Sequence, residues 1–344
     1  MGARLRAALI AAVVAAVAYP GVGVKAALPV TDAPVPIDMG EQHSWLVGLA
    51  ATQDRLVIAT GREVLLANLS GSVLLRRDFP GSIRGMAVTP DGADVYISRF
   101  DPPSIDRLDA TTLLTKSSLT ITDGSCPKAM VPAGGRLWLT LECTSRPIAS
   151  VDGALTTQPQ HLGLRHDTSM AASADGSRLF LSQPPAPGSD GPGLLSVVDA
   201  SDPAATVLKA VPFPEGGGGP MAASPDGTSL VVGGRTLATY TPRVRVLDAR
   251  TLEIRTTLQA FDPIDRLVVT GDSRRVVGLS NRRRAEREHN VLWWSIDRPG
   301  QVGSARPTEP DRRPQLAPSP DGRSVYALGD DGLLHRLRIG PDPT

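Results

Sequence analysis

MAVTPDGADVYIS, residues 86–98, decides the fold of this 344-residue chain, because three other stretches repeat it closely. These copies are MAASADGSRLFLS from Met170, MAASPDGTSLVVG from Met221 and LAPSPDGRSVYALG from Leu316. Three weaker copies are LAATQDRLVIAT from Leu49, MVPAGGRLWLT from Met130 and LVVTGDSRRVVGLS from Leu267. The steps between their turn markers are 37, 43, 41, 51, 46 and 49 residues, counted along Asp54, Asp91, Gly134, Asp175, Asp226, Asp272 and Asp321. A period of this size, filled with short strands, is typical of a repeat architecture.

Each copy predicts a β-hairpin, because Pro presets φ, Asp bonds the turn backbone and Gly accepts a positive φ. A third apolar strand follows in most units, as in SIDRLDATTL from Ser104 and VRVLDARTLE from Val244. A fourth follows that, as in TVLKAVPF from Thr206. Four antiparallel strands per unit, named A to D from the inside outward, predict an all-β, seven-bladed β-propeller. A solenoid is the competing architecture, but it would need capping units.

The two ends of the chain indicate how the ring closes. The last unit ends after its third strand, Leu333 to Ile339, so its fourth strand is missing. The segment PVPIDMG, Pro34 to Gly40, precedes the first inner strand as AVPFPEG precedes a later one. We therefore expect Val35 to Met39 to pair beside Leu333 to Ile339 and to complete blade seven.

The N-terminal residues predict export. Arg4 and Arg6 precede an apolar run from Ala7 to Ala18, the layout of a secretory signal, with cleavage after Ala18 or Ala26. We expect residues 1–26 to be the signal peptide and residues 27–344 to form a single propeller domain, secreted or extracytoplasmic. The run is too short for a membrane span, and without a nearby Cys it is not a lipoprotein signal.

Composition excludes a nucleic-acid partner, because 36 Lys and Arg residues against 35 Asp and Glu residues leave a formal net charge of +1. Lysine is rare beside Arg, Ala, Gly and Pro, which indicates a bacterial genome rich in GC.

The cysteines, Cys126 and Cys143, flank the third hairpin symmetrically about Gly134 and Gly135. A two-residue turn would place them opposite each other across strands A and B, within reach of a disulfide. An oxidising compartment favours that bond over a redox or metal site.

The repeats resemble those of the YVTN and lactonase-like seven-bladed propellers, with the best agreement at Gly219 to Gly233 and at Ile105 to Leu113. The resemblance implies the propeller fold and is compatible with several activities, because related proteins include hydrolases, redox subunits, surface proteins and binding scaffolds.

Candidate site residues directly precede the inner strands at equivalent positions, where ring closure would bring them to one axis: Arg84, Lys128, His166, Asp167 and Arg266. The positive charges of Arg84, Lys128 and Arg266 predict a binding site for an anionic or polyhydroxylated ligand at the mouth of the central funnel of the ring. The alternative is that these arginines, and His166, are ordinary solvated surface. The five histidines show no metal-ligand spacing, and we expect neither a metal nor a cofactor.

The favoured function is a secreted, monomeric, non-catalytic scaffold. Its partner would be a protein, or an anionic or polyhydroxylated small molecule or glycan. The alternative is a lactonase-like hydrolase acting on a sugar lactone or a related small molecule.

Overall fold

The computed structural model describes residues 30–31, 33–40, 45–186, 188–189, 191–214, 216–235, 242–260, 263–281, 289–300, 302–305 and 314–339. The described residues form strands and turns and contain no helix. The expected signal peptide, residues 1–26, lies outside them.

Seven antiparallel sheets form seven blades, so the predicted all-β, seven-bladed propeller is confirmed. The inner strands, A, are β3 (Leu46–Ala51), β7 (Ile83–Val88), β11 (Cys126–Ala133), β15 (Ser169–Ala172), β19 (Met221–Ala223), β23 (Ile264–Val269) and β27 (Gln315–Pro318). The second strands, B, are β4 (Arg55–Thr60), β8 (Asp94–Phe100), β12 (Arg136–Glu142), β16 (Arg178–Gln183), β20 (Ser229–Arg235), β24 (Arg275–Asn281) and β28 (Ser324–Leu328).

Strands C and D complete the blades outward. The C strands are β5 (Glu63–Asn68), β9 (Pro103–Asp109), β13 (Ile148–Asp152), β17 (Gly193–Asp199), β21 (Pro242–Asp248), β25 (His289–Ser295) and β29 (Leu333–Arg338). The D strands of blades 1 to 6 are β6 (Val73–Asp78), β10 (Thr115–Thr120), β14 (Gln160–Leu162), β18 (Val207–Phe213), β22 (Ile254–Gln259) and β26 (Val302–Ala305). Each inner strand contacts the next, and β27 contacts β3, so the ring is closed.

The outer position of blade 7 is occupied by two short N-terminal strands, β1 (Val30–Thr31) and β2 (Val35–Pro36). Both pair antiparallel with β29, through Val30 with Arg338 and through Val35 with Leu334. The pairing is therefore split into two short pieces, where the sequence predicted one strand over Val35 to Met39.

The core lies between blades, because the B strands are buried on both faces. Leu56 and Ile58 pack toward blade 7, while Val57 and Ala59 pack toward blade 2. This two-sided burial explains why these strands are continuous apolar runs with little alternation.

Aromatic residues occupy one recurring position in strand B, the one opposite Ala87, Val131, Ala171 and Ala317. They are Tyr96, Trp138, Phe180 and Tyr326, and all four are buried. Tyr96 donates its hydroxyl hydrogen to the Gly153 carbonyl at 2.7 Å, and Trp138 Nε1 donates to the Ala200 carbonyl at 3.3 Å. Both acceptors lie in the C–D turn of the next blade, so these side chains tie neighbouring blades together.

The C–D turns are organised by aspartates whose side chains accept backbone N–H bonds. Asp152 accepts from Ala154, Thr156 and Thr157. Burial raises the pKa of Asp152, but these bonds and those from the threonine hydroxyls outweigh burial and lower it to about 2. The carboxylate is therefore ionised at neutral pH and holds the turn.

Candidate functional site

Arg84 is placed by a bulge in the inner strand of blade 2. Ile83 pairs with Arg99 and Gly85 pairs with Ser98, so Arg84 is the extra residue between them. A bulge re-aims the side chain of its extra residue. Here that side chain is exposed, at the end of the ring that carries the B–C and D–A connections.

Two aromatic rings flank the Arg84 guanidinium. Its carbon lies 5.6 Å from the centre of the Trp45 ring and 5.0 Å from that of Phe100. Both rings are accessible, with 52% of Trp45 and 38% of Phe100 exposed. We call Trp45, Arg84 and Phe100 the rim cluster. Among the described residues, no ion pair or hydrogen bond engages the Arg84 guanidinium, so its N–H groups are available to a partner.

Backbone hydrogen bonds within blades 1 and 2, and one between them, hold the rim cluster in place. Gly61 N donates to the Trp45 carbonyl at 3.0 Å, and Ile83 N donates to the Gly61 carbonyl at 2.9 Å. Phe100 N donates to the Ser82 carbonyl at 2.9 Å. All three members are therefore anchored through main chain, and the rings do not depend on long flexible segments.

Lys128 lies on the neighbouring inner strand, β11. The register shifts between Pro127 and Met130, which leaves Lys128 in an irregular stretch at the same end of the ring as Arg84. Its carbonyl accepts from Ser98 Oγ at 3.0 Å, which links blades 2 and 3. Its ammonium group lies 2.6 Å from Glu142 Oε1, so the charge of Lys128 already has a carboxylate partner.

Arg266 does not occupy the position equivalent to Arg84, and the expected equivalence is wrong by one residue. Ile264 pairs with Ser280 and Arg266 pairs with Leu279, so the extra residue of the bulge in blade 6 is Asp265. A bulge adds one residue to its strand, so every position beyond the bulge is offset by one residue from the corresponding position in another blade. Arg266 is exposed, and it belongs to blade 6, across the ring from blade 2.

His166 and Asp167 are both exposed in the connection that leads into β15, and Asp167 adopts a left-handed φ of 61°. The structure shows a His–Asp contact elsewhere, between His161 Nε2 and Asp123 Oδ2 at 2.5 Å. Burial raises the pKa of Asp123, but hydrogen bonds from Ser125 and His161 outweigh burial and hold it below its usual range. No local sequence pattern points to this pair, because its members are far apart along the chain.

Cys126 and Cys143 form a disulfide, with 5.5 Å between their Cα atoms. They are not in direct register as expected, because Cys126 pairs with Glu142. Near the turn the register is the predicted one, with Ala133 opposite Arg136, and the irregularity at Lys128 shifts it. The bond ties the start of β11 to the B–C connection of blade 3.

Phe100 is the member of the rim cluster that sequence reasoning missed. It ends strand β8 directly after the charged residue Arg99, and it is exposed. A polar residue would be expected at this position, where a buried strand leads into a loop. An exposed aromatic residue at the end of a strand, directly before Asp101 and Pro102, was the available signal.

Two absences hold for the described part of the chain. No helix there is long and apolar enough to span a bilayer. Nor do those residues gather three or more His, Cys, Asp or Glu side chains in an arrangement that could hold a metal ion.

Comparison with known proteins identifies the fold. No family model and no curated protein sequence matches the chain. Among solved structures, the β-propeller domain of Myceliophteria thermophila Cps50 (Swd1) is similar, with a TM-score of 0.67 at 11% identity, over 90% of this chain and 100% of that one. A chain from a crystal structure of the mitotic checkpoint complex is also similar, with a TM-score of 0.67 at 17% identity, over 95% of this chain and 100% of that one. At such identities the likeness establishes a shared β-propeller fold.

Proposed function

We propose that this chain is an exported, non-catalytic propeller of the YVTN and lactonase-like kind that binds a partner protein through the rim cluster. The observation that carries the proposal is the exposed Arg84 guanidinium held beside the rings of Trp45 and Phe100. Trp and Arg are the residue types most enriched among those that dominate the binding energy of protein interfaces.

Pre-organisation is the physical reason that this arrangement favours binding. An exposed arginine ordinarily loses side-chain freedom when a partner immobilises it, at a cost of about 0.5–1.5 kcal/mol. The two rings already restrict Arg84, so less of that cost remains when a partner arrives. Arginine also keeps its charge at any accessible pH, which suits a binding group better than an acid or a base.

The chemistry of the cluster specifies the contact segment of the partner. A carboxylate can accept two parallel N–H bonds from one guanidinium, and the exposed parts of Trp45 and Phe100 can cover an apolar neighbour of that carboxylate. We therefore propose a partner segment in which Asp or Glu stands next to an apolar residue. Lys128, on the adjacent strand, would contribute at the edge of this contact.

Export and a monomeric state complete the proposal. The signal-like layout of residues 1–26 and the Cys126–Cys143 disulfide both support a location outside the cytoplasm. The closed ring supports a monomer, because β1 and β2 cover the outer edge of β29 and radial repetition leaves only short edges on the blades. One of the similar solved chains belongs to a crystal structure of a complex, which is compatible with use of the fold in assemblies.

Site-specific photocrosslinking tests the proposal. A photoreactive phenylalanine analogue placed at Phe100 in the producing cell should capture a defined partner. The same analogue at Leu114, which is 66% exposed at the opposite end of the ring, should not. With the purified partner, Arg84→Ala and Trp45→Ala should each weaken binding about 30-fold, as expected for residues of this class.

The matched control is Leu114→Ala, which removes an exposed apolar side chain at the opposite end of the ring and should leave the affinity unchanged. Equal affinity of wild type and Arg84→Ala, or capture from Leu114 and not from Phe100, would contradict the proposal. An interaction that survives at pH 7 but is lost when the partner's acidic residue is amidated would support the carboxylate contact.

A further inference from the structure

A cavity of about 560 Å³ opens at the end of the ring opposite the rim cluster. It lies where the A–B turns of blades 2, 3 and 4 meet the C–D turn of blade 3. Small-molecule sites in proteins span roughly 300–1,000 Å³, so a ligand of one or two sugar rings fits this volume. The site is separate from the proposed protein contact, and its argument does not depend on that contact.

The cavity exists because the hairpin turn of blade 3 is short. In blade 2 the residues Pro90 to Ala93 separate Thr89 from its backbone partner Asp94. In blade 3 only Gly134 and Gly135 separate Ala133 from Arg136. The missing residues, and the missing side chain of Gly135, leave a depression between the longer turns of blades 2 and 4.

Blade 1 offers an internal comparison. Its A–B connection is also short, but it carries Asp54 and Arg55, whose side chains form an ion pair at 2.6 Å. The combination of a short turn with no side chains is what distinguishes blade 3 from blade 1.

One wall of the cavity is charged but internally compensated. Asp94 is 5% exposed and lies 2.5 Å from Arg107 Nη2 and 2.7 Å from Lys116 Nζ. Arg107 Nη1 also donates to the Gly153 carbonyl at 3.3 Å. Lys116 Nζ also lies 3.0 Å from Asp109 Oδ2, so two cations face two carboxylates and the wall does not require a counterion.

The remaining polar groups offer both acceptors and donors. Asp91 is exposed and uses only Oδ1, from Thr89 and Ala93, among the hydrogen bonds of the described residues. Arg136 donates through Nε and Nη2 to Ser150, which leaves Nη1 without a hydrogen bond there. Asp91 and Arg136 thus line the same cavity, together with Gly134 and Gly135.

We propose that this cavity binds a neutral polyhydroxylated ligand, a mono- or disaccharide unit. A hydroxyl group both donates and accepts, so adjacent sugar hydroxyls match an Asp beside an Arg. An anion would lie among the carboxylates of Asp91, Asp94 and Asp175, and a cation would lie beside Arg107 and Arg136. A neutral ligand avoids both repulsions while using the same hydrogen bonds.

The test is titration of the full exported protein with three neutral disaccharides, maltose, cellobiose and diacetylchitobiose. Binding is measured by saturation-transfer NMR and by calorimetry. We expect saturable binding of at least one, with a dissociation constant of about 1 mM, as is common for a small open site. Gly135→Asn should weaken that binding at least about fivefold, because the new side chain occupies the mouth of the cavity.

Gly135→Asn is suited to this test because the fold should tolerate it. Its φ is +71°, a conformation that Asn accepts, and a Cβ there would meet nothing within 4 Å. Gly124→Asn is the matched control, since Gly124 has a φ of +81°, equally open surroundings and no place in the lining of the cavity. It should bind the sugar as the wild type does.

Three results would overturn the proposal. The first is no saturable binding of any of the three sugars up to about 50 mM, well above the expected dissociation constant of about 1 mM. The second is equal affinity of Gly135→Asn and wild type. The third is tighter binding of a charged probe, glucuronate or methylammonium, than of any neutral sugar.

Discussion

Gly81 shows how a single residue supports the rim cluster. It lies in the D–A connection before β7, with a φ of +80°, and a Cβ there would lie 2.1 Å from the Asp101 carbonyl oxygen. Asp101 follows Phe100 directly, so the close approach of these two backbones helps to set the position of the Phe100 ring. A glycine is needed here both for its conformation and for its lack of a side chain.

Gly81→Ala should therefore destabilise the fold by about 2–4 kcal/mol, because backbone has to move to admit the methyl group. Urea unfolding monitored by tryptophan fluorescence measures this change. Gly163→Ala is the control, since a Cβ at Gly163 meets nothing within 4 Å and its φ is not positive. Equal losses in the two variants would show that the contact with Asp101 is not the cause.

His335 makes the stability of the ring depend on pH. It is 9% exposed, and its Nε2 has no hydrogen-bond partner among the described residues. Burial lowers the pKa of His335 from its ordinary value of 6.5, and the charge of Asp331 opposes this only in part. As pH falls below about 6.5 the unfolded chain takes up the proton first, so folding stability decreases until the folded state is protonated as well.

We expect the wild type to lose stability between pH 7 and pH 5 with a slope of up to about 1.4 kcal/mol per pH unit from this group. His335→Phe should show a flatter pH dependence over the same range, measured as urea midpoints. His166→Gln, at an exposed position, should follow the wild type. A variant at His335 with an unchanged slope would contradict the role of this histidine.

At the scale of the strand, the aromatic position in strand B provides a matched pair of substitutions. Tyr96 and Tyr326 occupy equivalent places in β8 and β28, and both are buried. The Tyr96 hydroxyl donates to Gly153 in the next blade, whereas the Tyr326 hydroxyl has no partner among the described residues. The same change, Tyr→Phe, thus removes an interblade hydrogen bond in one case and an unpaired buried hydroxyl in the other.

Tyr96→Phe should cost about 1 kcal/mol, the usual net contribution of one hydrogen bond, because Arg107 still donates to the Gly153 carbonyl. Tyr326→Phe should be neutral or stabilising, because a buried hydroxyl without a partner is itself unfavourable. Thermal and urea unfolding of both variants at the same pH give the comparison. A larger loss for Tyr326→Phe than for Tyr96→Phe would be the opposite of the expected order.

The elements also show which features local sequence can predict. The hairpins at Met86, Met170, Met221 and Leu316 follow from turn chemistry within a dozen residues, so strands A and B were predictable. The bulges make Arg84 the extra residue of its strand in blade 2 but leave Arg266 paired in blade 6. Their positions depend on how a connection meets its neighbouring strand, which no local sequence pattern predicts. The contact of Arg84 with Trp45 likewise joins residues of two blades and emerges only when the ring is assembled, whereas its contact with Phe100 depends on the register of strands A and B within blade 2.

At the scale of the whole molecule, the two ends of the ring differ in chemistry. One end presents exposed aromatic rings and an arginine, and the other presents aspartate-organised turns and a polar cavity. The alternating direction of the antiparallel strands produces this division. It places the A–B and C–D turns of every blade at one end of the ring and the B–C and D–A connections at the other. A protein partner and a small ligand could therefore be bound at the same time without competing for surface.

The surfaces at both ends of the ring form only when blades 7 and 1 are joined and the ring is closed. The segment around β2 bridges blades 7 and 1, because Ile37 N donates to the Gly332 carbonyl at 2.8 Å while Arg76 of blade 1 donates to the Asp38 carbonyl at 2.7 Å. Ile37 is 5% exposed and packs with Leu46 of blade 1 and Leu334 of blade 7. Its side chain thus seals the one seam where the two ends of the chain meet.

Ile37→Asp should cost about 3 kcal/mol or more, because it buries an unpaired carboxylate in that seam. Because each blade packs on both of its neighbours, opening one seam weakens the whole ring, and we expect one cooperative unfolding transition at a lower urea midpoint. The freed outer edge of β29 should also promote association, visible as larger species in light scattering. Val35→Ser is the control, because Val35 is 37% exposed and its pairing uses main chain. If Ile37→Asp kept the wild-type midpoint and formed no species larger than the wild type does, the ring would be held closed by its inner strands, and the N-terminal segment would only cover its edge.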